Sequence, residues 1–319
     1  MTAIPVLLPP QSQPATAGYL TPAQFTAYPT WLDLDNLVPG GVASLQDDAL
    51  ADALLAASSW ADSICDGMRL SAHYVTGEQL TSRVAEGRIT LQPRDVPIRS
   101  ITSLQYGWDP SSMTALSLPD ASMWTENGRL VSFRPGGGTQ QFTGPAIQFG
   151  AGPSPHGRVY VTWSYAAGFP STFLSASCAS GAASVMLDDP TGVLPGDVLR
   201  IYDTGETSAG ASEALTVASS YVPQVPASPP VPTSIPLAAG TAFAHAAGTG
   251  ITGFPRNAIQ AVIALTVAVL MREDVSAEEP ASGFGPAART TGAAQRGGKA
   301  AGLVNDAGGW LARFKPVWR

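Results

Sequence analysis

The residues of this chain with ligating or catalytic capacity are three histidines, two cysteines, a glycine triplet and scattered carboxylates. His73, His156 and His245 lie far apart, with no HExxH or other close pair. Neither metal ligation nor nucleophilic catalysis through histidine therefore has a local basis. Gly136-Gly137-Gly138-Thr139 is not followed by Gly-Lys-Ser/Thr, so it fits a hairpin connection and not a phosphate loop. Asp188, Asp189, Asp197, Asp203 and Glu206 are close enough in sequence to converge on calcium, but turns use Asp for their own geometry. Asp47, Asp48 and Asp52 suit the positive end of a helix dipole and need no further role. Cys65 and Cys178 have no metal-type spacing and are expected to be reduced thiols. The expectation is a protein that is not an enzyme and carries no metal and no cofactor.

The last ten residues differ in character. Trp310, Phe314 and Trp318 recur at four-residue spacing, and Arg313, Lys315 and Arg319 lie among them. Aromatics with arginine are what buried interface anchors are made of. Pro316 argues against a helix through the end. These six residues are the candidate docking site. Tyr19, Phe25, Tyr28 and Trp31 give the N-terminal arm apolar anchors for its own core or a neighbouring subunit.

The elements that must position them are organised around residues 254–274. Asn257 to Met271 is the longest apolar run, interrupted only by Gln260 and Thr266. Pro255 suits a helix's first turn. The run is too short for a bilayer, which needs about 20 residues. Hydrophobic on nearly every face, it is expected to be a buried central helix near 256–273. A second helix near 45–65 follows from Leu50, Leu54, Ala57, Ala61 and Ile64 at helical spacing. Ser44 to Asp47 resembles a capping box for it, and Gly67 a C-terminal cap. Residues 1–40 form a proline-containing arm with a short helix opened by Thr21-Pro22. From Leu70 to Tyr165 the signals are strands: 97–106, a hairpin at Asn127-Gly128, and Arg158 to Tyr165. Residues 176–253 carry short strands at 185–187, 197–202 and 214–217 between turns, a small β module inserted before the central helix. Residues 276–308 are Gly/Ala-rich and expected to be extended.

The predicted fold class is thus α+β. An N-terminal arm (1–40) precedes a core (41–175 with 254–275), which holds the inserted module (176–253) and ends in an extended tail (276–319). Composition agrees with a turn-rich protein: 319 residues, 33 Gly, 28 Pro, and only 13% charged residues. The net charge is −7, unevenly spread. From Arg289 onward six basic residues stand against one acid, net +5, leaving −12 for the preceding residues. An acidic body argues against wrapping DNA, because phosphate contacts need Lys and Arg. Pro5, Pro9 and Pro10 interrupt any signal-peptide apolar region, so no export route is recognisable.

Taken in order, Tyr19-Leu-Thr-Pro-Ala-Gln-Phe25, Leu54 to Ile64, Val96-Pro-Ile-Arg-Ser-Ile-Thr-Ser-Leu104 and Val159 to Pro170 resemble the head-to-tail adaptor (connector, or head-completion) proteins of long-tailed bacteriophages. So do the apolar helix and the basic-aromatic tail. The resemblance covers most of 19–175 and 254–319, and the module at 176–253 departs from it. It implies a homo-oligomeric ring, usually a dodecamer, at the head-tail junction (neck) of the virion, assembled in the host cytoplasm. In such a ring the C-terminal segment (Trp310, Arg313, Phe314, Lys315, Trp318, Arg319) docks on the portal protein. The other face receives a stopper or tail-terminator protein, and DNA passes through the lumen without sequence-specific binding and without any membrane. An acidic lumen would keep DNA from sticking. Two rivals remain: a phage tail or fibre-associated carbohydrate-binding β protein, which leaves the central helix unexplained, and a hydrolase, which needs a polar pocket the sequence does not show.

Overall fold

The structure, a computed structural model, describes residues 18–30, 32–35, 37–85, 88–118, 123–126, 128–133, 158–202, 212–223, 230–276 and 293–315. It is α+β, with a helical layer, a seven-stranded antiparallel sheet and a small barrel. The helices are α1 (Pro22–Thr26), α2 (Ala43–Ile64), α3 (Arg256–Ser276) and α4 (Ala293–Leu311). α3 is central: α2 and α4 both pack on it, while α2 and α4 barely touch each other. Its first turn is anchored by Ala258 N and Ile259 N, which donate to Pro255 O at 2.9 and 3.2 Å. Ala258, Ile259, Ala261, Val262, Leu265, Thr266 and Ala268 are buried, as the all-round apolar sequence requires. The Thr266 hydroxyl, fully buried, donates back to Val262 O at 2.8 Å.

α2 begins earlier than the Ser44 capping box suggests. Its N-cap is Val42, which gives no side-chain cap. Gln46 instead clamps the preceding loop, accepting from Val38 N at 2.7 Å and donating to Val38 O at 2.8 Å. The amide, donating and accepting at once, satisfies both backbone groups of Val38. The helix ends at Cys65, and both Asp66 (φ 62°) and Gly67 (φ 78°) take the left-handed conformation that turns the chain away.

The expectation of an extended segment before the C-terminus is overturned over Ala293–Leu311, which is helical. Glycines at 297, 298, 302, 308 and 309 read as breakers. Ala300, Leu303, Val304, Ala307, Trp310 and Leu311 nevertheless repeat at helical spacing and lay that face on α3, with Ala307 and Leu311 fully buried. Burial of the stripe outweighs glycine's low propensity, about 1 kcal/mol per residue against Ala.

The sheet is built from β1 (His73–Ala85), β2 (Arg88–Leu91), β3 (Ile98–Asp109), β4 (Ser112–Ala115), β5 (Met123–Glu126), β6 (Leu130–Phe133) and β7 (Arg158–Ala167), in the order β4-β3-β7-β1-β2-β6-β5. The hairpin joining β5 and β6 turns through Gly128 (φ 66°). A Cβ there would lie 2.8 Å from Pro97 Cβ, and Gly128 O accepts from Ile98 N at 2.7 Å, so glycine is needed for both conformation and space. Alternate residues form a separate core, with Ile89, Leu91, Leu104, Val131, Phe133, Val159, Val161, Trp163 and Tyr165 inside.

Between β7 and α3 the chain makes β8 (Ser171–Phe173), β9 (Ser184–Leu187), β10 (Val198–Ile201), β11 (Glu213–Thr216), β12 (Thr233–Pro236) and β13 (Gly250–Thr252). Four of these form one sheet, β11-β10-β13-β8, and two another, β12-β9. Single bridges Leu174↔Leu187 and Val217↔Leu237 join the sheets at both ends. The strands therefore close into a small antiparallel barrel, ordered β8-β9-β12-β11-β10-β13. Leu174, Val185, Leu187, Leu199, Ile201, Leu215, Val217, Ile235 and Ile251 fill it. Closure leaves no strand edge open to association. Entry and exit adjoin: Ser171 pairs with Thr252, and Gly253 N donates to Pro170 O at 2.8 Å. The barrel is held to the sheet by Arg99, whose Nε donates to Gly192 O at 2.9 Å while Nη2 binds Asp197.

Gly302 lies on the exposed side of α4 with nothing within 4 Å of the position a Cβ would take. Gly302→Ala should stabilise the protein by about 0.5–1 kcal/mol, read as a higher denaturant midpoint at unchanged slope. A lower midpoint would mean that this face of α4 is closely covered in the native protein.

Candidate functional site

The C-terminal candidate site is built on the end of α4. A 3-10 turn, Ala312–Phe314, follows Leu311, and at Lys315 the backbone becomes extended (φ −62°, ψ 142°). Phe314 is buried, edge-on to Phe169 with ring centroids 5.5 Å apart. Phe169 meets Phe254 at 5.7 Å, and Phe254 meets Tyr19 at 5.1 Å. Four rings in series thus tie the C-terminal turn, the end of the sheet, the start of α3 and the N-terminal strap together. Arg313 is exposed, its guanidinium 4.9 Å from the centre of the Phe314 ring. Lys315 and Trp310 are half-buried. Of the six residues, then, Phe314 is a core residue of its own chain, because an aromatic ring packed edge-on against Phe169 gains more inside than at a free terminus. Arg313, Lys315 and part of Trp310 face outward. Trp318 and Arg319 lie outside the described residues.

The arm candidates are corrected in the same direction. Tyr19 and Phe25 are 2% and 0% exposed inside their own helical core and cannot serve a neighbouring subunit. The reason is local. Thr21 and Gln24 close a reciprocal capping box, 3.1 Å and 2.9 Å, which fixes α1 and aims Phe25 inward. Tyr28 is half-buried, its hydroxyl 3.1 Å from that of Tyr202 in the barrel. Trp31 lies outside the described residues.

Tyr19 also anchors a buried polar cluster in the helical layer. Its backbone N donates to Ser58 Oγ at 2.9 Å, its hydroxyl donates to Asp62, and Leu70 N donates to the same hydroxyl at 2.9 Å. Burial pushes the Asp62 carboxyl up to about 6, against the opposing pull of the Tyr19 hydrogen bond and the nearby Arg69 and His73. Burial raises the Tyr19 hydroxyl as well, so it remains a donor. Burial pushes the Cys65 thiol up to about 12. Both Cys65 and Cys178 are free.

The remaining candidates are engaged in the fold. His73 Nδ1 donates to Ser71 O at 2.8 Å and its Nε2 faces Asp95 Oδ2 at 3.0 Å. His245 Nε2 lies 2.7 Å from Glu213 Oε1 inside the barrel. Glu78 accepts from Trp163 Nε1 at 2.8 Å and Arg94 N at 3.1 Å, and burial raises its carboxyl. Asp189 caps a turn through Thr191 N at 2.9 Å, and Asp197 accepts from Leu194 N at 2.7 Å as well as from Arg99. His156, Asp203, Glu206 and the triplet Gly136 to Gly138 lie outside the described residues. Among the described residues no group of three or more His, Cys, Asp and Glu could hold a metal ion, and no helix is long and apolar enough to cross a membrane. An open groove of about 550 Å³ runs between α1 and the barrel, lined by Thr21, Pro22, Thr26, Asp47, Tyr202 and the backbone of 247–250.

No family model matches the chain, and no curated protein matches it.

The sequence signal could have found the burial of Phe314. Leu311 and Phe314 continue the stripe Leu303, Val304, Ala307, Trp310 at helical spacing. Phe314→Ala should cost about 3–5 kcal/mol of stability, measured by denaturation. A cost near zero would place that ring outside the core.

Asp62 gives a pH test. Its folded value, about 6, lies above the ordinary value of 3.8, so the unfolded chain releases this proton first. Stability from this group is full below about pH 4 and is lost as pH rises through 6, by about 3 kcal/mol. Asp62→Asn, which can still accept from Tyr19, should flatten the decline in melting temperature between pH 4 and 7. Parallel profiles for the two proteins would contradict the assignment.

Proposed function

We propose that the chain is the subunit of a homo-oligomeric ring at the head-tail junction of a long-tailed bacteriophage, joining the portal to a stopper or tail component around the DNA channel. The observation that carries the reading is the end of α4. Arg313 and Lys315 project beside the half-buried Trp310 at the point where the chain leaves its aromatic anchor. The ordered resemblance of residues 19–175 and 254–319 supports it. A turn pinned from inside by Phe314 presents two cations and a tryptophan edge at low entropic cost on binding. With Tyr19 and Phe25 inside their own core, ring contacts fall to other surfaces. Val42 and Leu45, 65% and 47% exposed at the start of α2, are the most exposed large apolar side chains of the helical layer among the described residues.

A second reading, a carbohydrate-binding β protein of the tail, is favoured by Phe173 and Phe243, 41% and 45% exposed on the barrel. It gives the helical layer no role.

Capture of purified portal protein tests the first reading. A chain ending at Lys315 keeps Leu311 and Phe314 in place and isolates the contribution of Trp318 and Arg319. The double variant Arg313→Glu/Lys315→Glu reverses the exposed charge without touching the core. The expected result is at least a tenfold loss of portal affinity for the double variant, about 1.4 kcal/mol or more. No capture by the full-length chain, with binding to a glycan panel instead, would transfer the case to the second reading.

A further inference from the structure

The solvent side of the seven-stranded sheet carries a charge arrangement that packing does not explain. In the β1–β7 register Arg83 stands directly opposite Arg158. Directly opposed residues of an antiparallel pair project to the same side, with Cβ atoms about 4.5–5.5 Å apart, and like charges placed so repel. Both side chains are exposed, and neither has an ion-pair partner among the described residues. Arg88 pairs with Ala85, two residues from Arg83, so it shares the face at one diagonal, about 7–8 Å away. It too is exposed.

The neighbours on this face bear hydroxyls. Thr81 is opposite Tyr160, and Thr90 is opposite Ser132 with their hydroxyl oxygens 2.9 Å apart. The alternate residues, Ile89, Leu91, Val159 and Val161, are buried on the other side. Asp109, at the end of the adjoining strand β3, is turned to its own loop, accepting from Ser111 N at 2.8 Å and Ser111 Oγ at 2.7 Å. The β1–β2 turn contributes Glu86, which lies outside the described residues. A chain of net charge −7 thus gathers three arginines on adjacent strands β7, β1 and β2.

We propose that this face seats the phosphodiester backbone of duplex DNA. Guanidinium groups with Ser, Thr and Tyr hydroxyls are the side chains that contact phosphate oxygens. An anion lying between Arg83 and Arg158 converts their repulsion into two charge-assisted contacts. Three strands at about 4.8 Å spacing spread the arginines over about 10 Å, wider than one phosphate and suited to successive phosphates of a strand. A protein partner is less favoured, because among the described side chains of this face none is a large, exposed apolar anchor of the kind that carries protein–protein affinity. The contact reads no bases. It serves as a weak, salt-sensitive track, and the choice of DNA among polyanions rests on the proposed place of the chain around the DNA channel. An acidic lumen is then interrupted by a basic stripe on this sheet.

The test uses the full-length protein, a short fluorescein-labelled duplex and anisotropy titrations between about 50 and 200 mM salt. Oligomer mass is measured in parallel. The expected result is binding whose logarithmic salt slope is about −2 to −3, one contribution of about −0.9 per phosphate neutralised. Arg83→Ala/Arg158→Ala should weaken binding at least tenfold at the lowest salt and lower the slope by about 2, with oligomer mass unchanged. Arg83→Lys/Arg158→Lys, which keeps the charge, should recover most of the affinity. Absence of duplex binding at the lowest salt, or binding that the alanine pair leaves unchanged, overturns the proposal. So does an alanine pair that loses self-association or capture of a protein partner while duplex binding persists, which would assign the face to an acidic protein surface. If the wild-type chain binds duplex through these arginines but forms no ring, the face stands as assigned and the ring reading fails.

Discussion

The fold depends on a line of four aromatic rings, Tyr19–Phe254–Phe169–Phe314, each about 5–6 Å from the next. Those rings come from four places distant in sequence: the N-terminal strap, the entry to α3, the exit of β7 and the turn after α4. Aromatic pairs of this geometry contribute about 0.5–1.5 kcal/mol each beyond the area they bury. They also fix where the two ends of the described chain meet. Around them Tyr19 accepts from Leu70 N and donates to Asp62, so the strap is held by hydrogen bonds as well as by burial. Burying a carboxyl costs stability unless its partners are complete. That cost is the reason this contact is sensitive to pH.

The barrel is organised on a different principle. It has its own apolar core, its strands close on themselves, and its first and last strands adjoin, so the chain enters and leaves it at one place, while Arg99 and Tyr28 tie it to the sheet and the strap. An element of that kind can be inserted without disturbing the register of the parent sheet. The helical layer shares no such independence, because α3 carries both of its long partners. The sheet's solvent face, with its opposed arginines, belongs to neither core. It is the surface on which a local rule of strand pairing is broken without a compensating contact among the described residues, and such breaks mark functional surfaces more often than structural ones.

Much of this was legible in the sequence where one signal dominated. The apolar run at 257–271 had to be buried, the spacing from Leu50 to Ile64 had to be a helix, and Thr21-Pro22 had to open one. The hairpin at Gly128 and the strand Arg158 to Tyr165 were equally direct. Legibility failed where two signals competed. In α4 the glycines hid a helical stripe whose stabilisation comes from burial on α3 and not from propensity. At Tyr19 and Phe25 the residue types suited an interface and a core alike, and only their packing in the helical core decided between them. Barrel closure depends on two single bridges between segments some 13 to 20 residues apart, which no local pattern encodes. The opposition of Arg83 and Arg158 is a matter of register across 75 residues of sequence and has no signal in either strand alone.

Imaging of the purified chain mixed with its portal protein, by electron cryomicroscopy, tests the central claim most directly. The account predicts a closed ring of this chain coaxial with the portal, with the end of α4 and its Arg313 and Lys315 at the contact. A chain that stays monomeric, or a ring that meets the portal through the barrel with the end of α4 facing away, would contradict it.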